Sequence, residues 1–273
     1  MRRLSDTSAE AQQILTIAYR KMPPSRKIQW VCREFRLARS LHHAGQYRLH
    51  PDRSEAEIRH SWITSMLGNL LTESIKGGGS LNEDMDNLAV LQEVLAAFHA
   101  LGIAYAIGGS WASSYYGEPR MTRDADVSVD PFSGKEQMLA DHFGPDYYMS
   151  VDAFREANRT RSTFNIIHTS TAFKVDVFVR KNDPFETSVM SRRSAGEAAA
   201  DNQPPLVWVS PEDLVLLKLR WYRLGNEISD RQWSDVLGVF RVQAGRLDED
   251  YLTHWAKEIG VANLLARARS ESS

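Results

Sequence analysis

Three carboxylates give the first sign of chemistry. Asp124 and Asp126 stand one residue apart in the apolar run Asp124-Ala125-Asp126-Val127-Ser128-Val129. In a strand, alternation sends both acids to one face and Ala125 and Val127 to the other. Asp176 lies mid-run in Phe173-Lys174-Val175-Asp176-Val177-Phe178-Val179. A carboxylate inside such a run is costly unless it meets a partner or a metal ion. If the two strands are neighbours, the three acids converge. Ligation by aspartate oxygen alone suits Mg2+ or Mn2+ rather than zinc. Upstream, Ile107-Gly108-Gly109-Ser110 reads as a strand ending and a helix beginning. Glycines there let a phosphate approach backbone N–H groups, and a helix N-terminus adds a favourable field. Ser110 could equally serve only as a helix cap. A phosphate seat beside a carboxylate cluster suits phosphoryl or nucleotidyl transfer.

The elements that must hold these residues follow from periodicity and punctuation. Met85 to Leu101 is an amphipathic helix with Leu88, Leu91, Leu95 and Phe98 along one stripe, ended by Gly102. Strands are expected at 104–107, 124–129, 164–168, 173–179 and 207–209. The spacer Thr169-Ser170-Thr171-Ala172 signals a hairpin. Short helices are expected at 111–116 and 135–142. Ser210-Pro211-Glu212-Asp213 opens a helix running to Leu224, with a cap, a proline at the first position and acids in the first turn. Further helices are expected at 230–243, 249–258 and 261–269. Trp221, Trp233 and Trp255 sit among apolar residues at helical spacing, for which core packing is the default. His168 in its strand reads as a satisfied histidine and Cys32 as a small buried hydrophobe.

The charge is uneven. Residues 1–76 hold 13 Lys/Arg against 7 Asp/Glu, a net of +6, and the remainder carries −8. The switch falls at Gly77-Gly78-Gly79-Ser80, a flexible linker by composition. This divides the chain into a basic helical module at 1–76, a linker at 77–84 and a second domain at 85–273. A long surface loop within one domain is the plainer alternative. The first module reads as helices at 9–21, 26–44 and 54–71, with Gly45 ending the second and Ser54 and Glu57 forming a capping box on the third. Such short helices need a partner surface, and the acidic domain is the obvious one. RNA binding by the arginines is the competing reading.

Composition bounds the rest. With 273 residues, 42% hydrophobic and 25% charged, the chain is neither a collagen, a coiled-coil rod nor wholly disordered. A net charge of −2 excludes a strongly basic nucleic-acid binder. One cysteine permits no internal disulfide and no cysteine-based zinc cluster, which fits a reducing, cytoplasmic compartment. No signal-peptide core and no membrane span are expected.

The motif set has a relative. Ile107-Gly108-Gly109-Ser110 followed by Asp124-Ala125-Asp126-Val127 resembles the nucleotidyltransferase superfamily that includes DNA polymerase beta. Arg120-Met121-Thr122-Arg123-Asp124-Ala125-Asp126 looks like the R-x-T-x-D-x-D form of minimal nucleotidyltransferases related to AbiEii-type toxins. Pro211 to Leu219 is similar to the helix that brings a lysine to the nucleotide there. Ser229 to Val236 resembles the following helix, but departs from the usual Arg-Asp pair, which leaves Asp230 and Asp235 without an assigned role. The first module looks like a small helical protein that accompanies such enzymes.

The resemblance implies an α+β fold, a mixed sheet flanked by helices with further C-terminal helices and a small helical N-terminal module. Gly108, Gly109 and Ser110 would contact triphosphate. Asp124, Asp126 and Asp176 would bind Mg2+ or Mn2+, and Asp176 would serve as general base. Lys218 would contact the triphosphate, while Arg120 and Thr122 would touch phosphate or order the metal strand. Arg120 could also simply pair with Glu118 or Asp124. The implied reaction moves a nucleoside monophosphate from an NTP such as ATP to a hydroxyl of RNA, protein or a small molecule, in a toxin–antitoxin-like setting. A catalytically silent nucleotide-binding module of the same fold is the alternative.

Overall fold

The computed structural model describes residues 9–67, 87–196 and 204–272. The expected linker at 77–84 lies outside them, as do the start of the 85–101 helix and the end of the 54–71 helix. The fold is α+β, a seven-stranded mixed sheet flanked by helices. The chain begins with α1 (Ala9–Lys21), α2 (Pro24–Leu49) and α3 (Glu55–Leu67). Then come α4 (Asn87–Ala100), β1 (Tyr105–Ile107), α5 (Gly109–Tyr116), β2 (Asp124–Val129) and α6 (Glu136–Asp141). The middle holds β3 (Tyr147–Tyr148), α7 (Val151–Thr160), β4 (Thr163–His168), β5 (Phe173–Val179), α8 (Pro184–Arg192), β6 (Ser194–Ala195) and β7 (Val207–Trp208). The chain closes with α9 (Pro211–Leu224), α10 (Asp230–Val242), α11 (Glu249–Glu258) and α12 (Ala262–Ser272). Among the described residues no helix is long and apolar enough to cross a membrane.

The strand order is β3-β4-β5-β2-β1-β7-β6. β2 and β5 run parallel at the centre, while β1 and β4 flank them antiparallel. Ala125, Val127 and Val129 of β2 and Val175 and Val177 of β5 point to one face and are fully buried. One buried face is enough to fix strand register, because a one-residue slip would turn every valine to the opposite face. α4 and α7 contact β5, and their buried residues Leu91, Leu95, Phe98 and Phe154 join the same apolar core.

The end of α2 differs from expectation for visible reasons, whereas the start of α3 does not. α2 passes through Gly45, where the glycine faces open space and costs only its propensity. The helix stops at His50, whose backbone leaves the helical region before Pro51, which disfavours a helical residue ahead of it. α3 starts as the capping box requires, with Glu57 accepting from the Ser54 N–H at 2.8 Å.

The N-terminal helices meet the rest of the chain through apolar side chains and through helix ends. α2 packs on α5, and Ile28 and Cys32 lie in the main core. Lys27 is buried, and its Nζ donates to the carbonyl of Gly117 at 2.9 Å, at the C-terminus of α5. Arg20 donates twice to the Arg241 carbonyl in the last turn of α10, at 2.8 and 2.6 Å. Cations there satisfy carbonyls that have no partner in their own helix. Trp62 of α3 donates its indole N–H to the Thr171 carbonyl at 3.1 Å and covers Ala172, a buried alanine held at φ 58 in the β4–β5 turn.

Burial, and then the charge of Arg246, pulls the Lys27 ammonium down to about 8. Free lysine titrates near ~10.4, so the unfolded chain holds the extra proton between the two values and stability rises with pH across that window. Lys27→Ala is expected to lose about 1–3 kcal/mol at pH 7 and to abolish that rise, as read by urea midpoints from pH 7 to 10.5.

Candidate active site

β2 and β5 pair in parallel with Asp124 opposite Lys174, Asp126 opposite Asp176 and Ser128 opposite Phe178. Pleating puts these six side chains on the face away from the buried valines. β4 adds Asn165 opposite Asp176. The two strands expected to be neighbours are therefore paired, and the paired acids share one row.

Gly108 and Gly109 form the turn between β1 and α5. The Gly108 N–H donates to the Asp126 carbonyl at 2.8 Å, which pins the turn to β2. Gly109 has φ +52, and a methyl group there would overlap the Asp126 carboxylate. Glycine is thus required twice, for its backbone angle and for the close approach. The Asp126 carboxylate lies against the first turn of α5.

Hydroxyls carry the arrangement further. Thr122 Oγ1 donates toward Asp124, 3.1 Å from Oδ1 and 3.2 Å from the carbonyl oxygen. Ser110 Oγ lies 2.6 Å from the same hydroxyl, a contact in which either oxygen can donate. Trp111 adds an indole N–H to the Asp124 carbonyl at 3.0 Å. Thr122 thus orders the acid strand, and Ser110 is tied to it.

The electrostatics are set by burial first and by like charge second. Burial first, then Asp124, pushes the Asp126 carboxyl up to about 6, with Asp176 adding to the rise and Lys218 opposing it. Burial also raises Asp176, whereas Lys174 pulls it back. Lys174 Nζ donates to Asp176 Oδ2 at 2.6 Å, and Asn165 donates to the other oxygen. Asp176 is therefore already partnered.

Among the described residues no group of three or more His, Cys, Asp or Glu side chains stands ready to hold a metal ion. Asp124, Asp126 and Asp176 share one face of the paired strands, with Asp176 accepting from Lys174 and Asn165. Mg2+ is commonly held by one or two carboxylates with substrate oxygens completing its shell. Asp124 and Asp126 fit that need by chemistry: two hard-oxygen groups share a face, and their mutual repulsion is what a cation relieves. Asp176 fits only when Lys174 releases it.

The sequence pattern assigns Asp235 no role, yet it organises the cations. Arg120 grips it through Nε at 2.7 Å and Nη2 at 2.8 Å. Buried Lys218 donates to it at 2.8 Å and to Gln232 at 3.0 Å. Burial raises the Asp235 carboxyl, but Arg120 and Lys218 outweigh this and hold it below the ordinary range. Arg120 pairs with Asp235 rather than with Glu118 or Asp124, and Glu118 binds Arg241 instead. The available signal was the need of two inward-facing cations for a shared anion. His168 is buried and bonds Thr171, and Cys32 is buried and in no disulfide, as expected. Trp221 departs from the expected core packing and is 51% exposed.

No family model and no curated protein matches the chain. Among solved structures it is similar to the antibiotic-resistance factor ANT(2'')-Ia, at 14% identity and TM-score 0.36, over 68% of this chain and 93% of that one. It is also similar to an antigenic nucleotidyltransferase-like protein from Paracoccidioides brasiliensis, at 16% identity and TM-score 0.39, over 66% of this chain and 91% of that one.

The raised Asp126 carboxyl means the folded state holds its proton to higher pH than the unfolded chain. Stability is full below pH ~3.9 and falls as pH climbs through 6. Asp126→Asn is expected to stabilise the metal-free protein at pH 7 by about 1–3 kcal/mol, with the gain vanishing near pH 4, read by chemical denaturation. Gly109→Ala is expected to cost about 2–4 kcal/mol by the same measurement, since the methyl must displace the Asp126 carboxylate.

Proposed function

We infer that the chain is a divalent-metal-dependent nucleotidyltransferase acting on an NTP and a hydroxyl acceptor in RNA, protein or a small molecule. One observation carries the reading. The Asp126 carboxylate rests on Gly109 at the start of α5, beside Asp124 and in register with Asp176. This supports a phosphate seat and an acid cluster in one place.

Asp124 and Asp126 would hold Mg2+ or Mn2+, which when bound supplies charge neutralisation at the triphosphate. The N–H groups opening α5 would bind phosphate oxygens, and Ser110 would add a hydroxyl. Lys218, anchored by Asp235, contributes a fixed positive charge near Asp126. Asp176 would accept the proton of the attacking hydroxyl once freed from Lys174. The acceptor oxygen then bonds the α-phosphorus, the α–β bridging bond breaks, and pyrophosphate leaves.

The second reading is a nucleotide-binding module without turnover. Its specific support is that Asp176, Arg120 and Lys218 are all engaged in ion pairs. For the N-terminal helices, the Lys27 and Arg20 caps support an in-cis partner of the sheet domain, in a toxin–antitoxin-like arrangement.

Incubation with each α-labelled NTP, Mg2+, bacterial RNA and bacterial protein tests the reading. Label is expected to enter one acceptor fraction, and Asp126→Asn is expected to lower it by more than about 100-fold. No acid-dependent product with any NTP would leave only the binding module. Lys27→Ala in the same assay reads the helices: more label marks restraint, less marks support.

A further inference from the structure

Helix α9 carries two unlike residues one turn apart, one whose charge reaches Asp126 and one whose ring meets Phe178. Lys218 points inward, where its charge acts on Asp126. Trp221, three residues on, is 51% exposed, while Lys218 is 4% exposed. One turn spans about 5 Å along the helix. The Trp221 ring meets Phe178, with centroids 6.2 Å apart and planes at 62°. Phe178 is two residues beyond Asp176 on the same strand face, and its register partner is Ser128. The aromatic pair therefore stands one side-chain row, about 7 Å, from the Asp126–Asp176 row.

An exposed tryptophan contributes little to a core. Here the edge-on contact with Phe178 props one side of the indole and leaves the ring accessible beside a polar site. The sheet domain shows the opposite treatment elsewhere: Trp111 and Trp208 are fully buried. Leu224, one turn further along α9, is also exposed, at 66%. The result is an apolar wall beside a row of acids and a helix-borne cation.

We propose that Trp221, backed by Phe178, is the stacking wall for the nucleobase of the nucleoside triphosphate. This rests on the nucleotidyl-transfer reading above and gives that site a base-binding subsite. The helix that offers Lys218 at the phosphate end offers Trp221 one turn away, which matches the distance a ribose must bridge. Stacking on an indole tolerates every base but grows with ring area, so purines bind more tightly than pyrimidines.

The test uses the full chain with Mg2+ and calorimetric titration of ATP, CTP and inorganic tripolyphosphate, which has no base. Base–aromatic stacking is worth ~1–3 kcal/mol, so Trp221→Ala is expected to weaken ATP binding about 5–150-fold. CTP should weaken less, and tripolyphosphate should not change. Trp221→Phe is expected to recover most of the loss, and Trp221→Leu little of it. Equal ATP affinity in wild type and Trp221→Ala overturns the proposal. So does a parallel loss for tripolyphosphate, which marks general damage to the site, or an unchanged NTP affinity with a raised KM for the acceptor. Failure of wild-type protein to bind either NTP or tripolyphosphate overturns the nucleotide reading itself, and is distinct from binding that ignores Trp221.

Discussion

Like charge held at close quarters is the constraint around which the site is arranged. The parallel pairing of β2 and β5 aligns Asp126 with Asp176, and Asp124 is two residues from the first. A sheet tolerates this only with countercharge nearby. Lys174 supplies it from the same strand, and Lys218 supplies it from α9. Lys218 would be a costly buried cation without Asp235, and Arg120 completes that anion's second oxygen. The acids on the sheet and the cations above them are thus two halves of one compensated cluster. Gly109 is the steric complement, a backbone with no side chain where the Asp126 carboxylate must lie.

Much of this was legible in the residues. The alternation around Asp124, Asp126 and Asp176 gave strands β2 and β5 and their faces. The Ser210-Pro211 start of α9 was recognisable because cap, proline and early acids agree, and Ser210 does accept from the Asp213 N–H. Other elements were hidden. The helix α7 has few apolar residues and buries only Phe154, Ala157 and Asn158. The strand β3 is two residues long and is defined by its pairing with β4, which no local pattern reports. The partners in the site were harder still. The Arg120–Asp235 ion pair joins residues 115 positions apart. The pairing of Lys174 with Asp176 was local and open to inspection, since i and i+2 share a strand face. Trp221 misled because helical spacing among apolar residues does not say whether anything covers that turn.

The N-terminal helices meet the rest of the chain through apolar contacts, Ile28 and Cys32 in the main core and Trp62 against Ala172, and through cations set on helix-end carbonyls. The glycine turn opens α5 and Lys27 closes it, so one eight-residue helix links the candidate phosphate seat to the first module. α10 repeats the pattern: Asp235 on its first turns holds the site cations, and Arg20 terminates its last turn. Both helices are pinned at each end by a different part of the chain.

That pinning has an order in time. Lys27 finds its carbonyl partner 90 positions later, and Arg20 finds its own 221 positions later. At ~5–20 residues per second of translation, the first helices leave the ribosome many seconds before Arg241 exists. α2 lacks its seat only until α5 emerges, whereas α1 waits for α10 and meets solvent in the meantime.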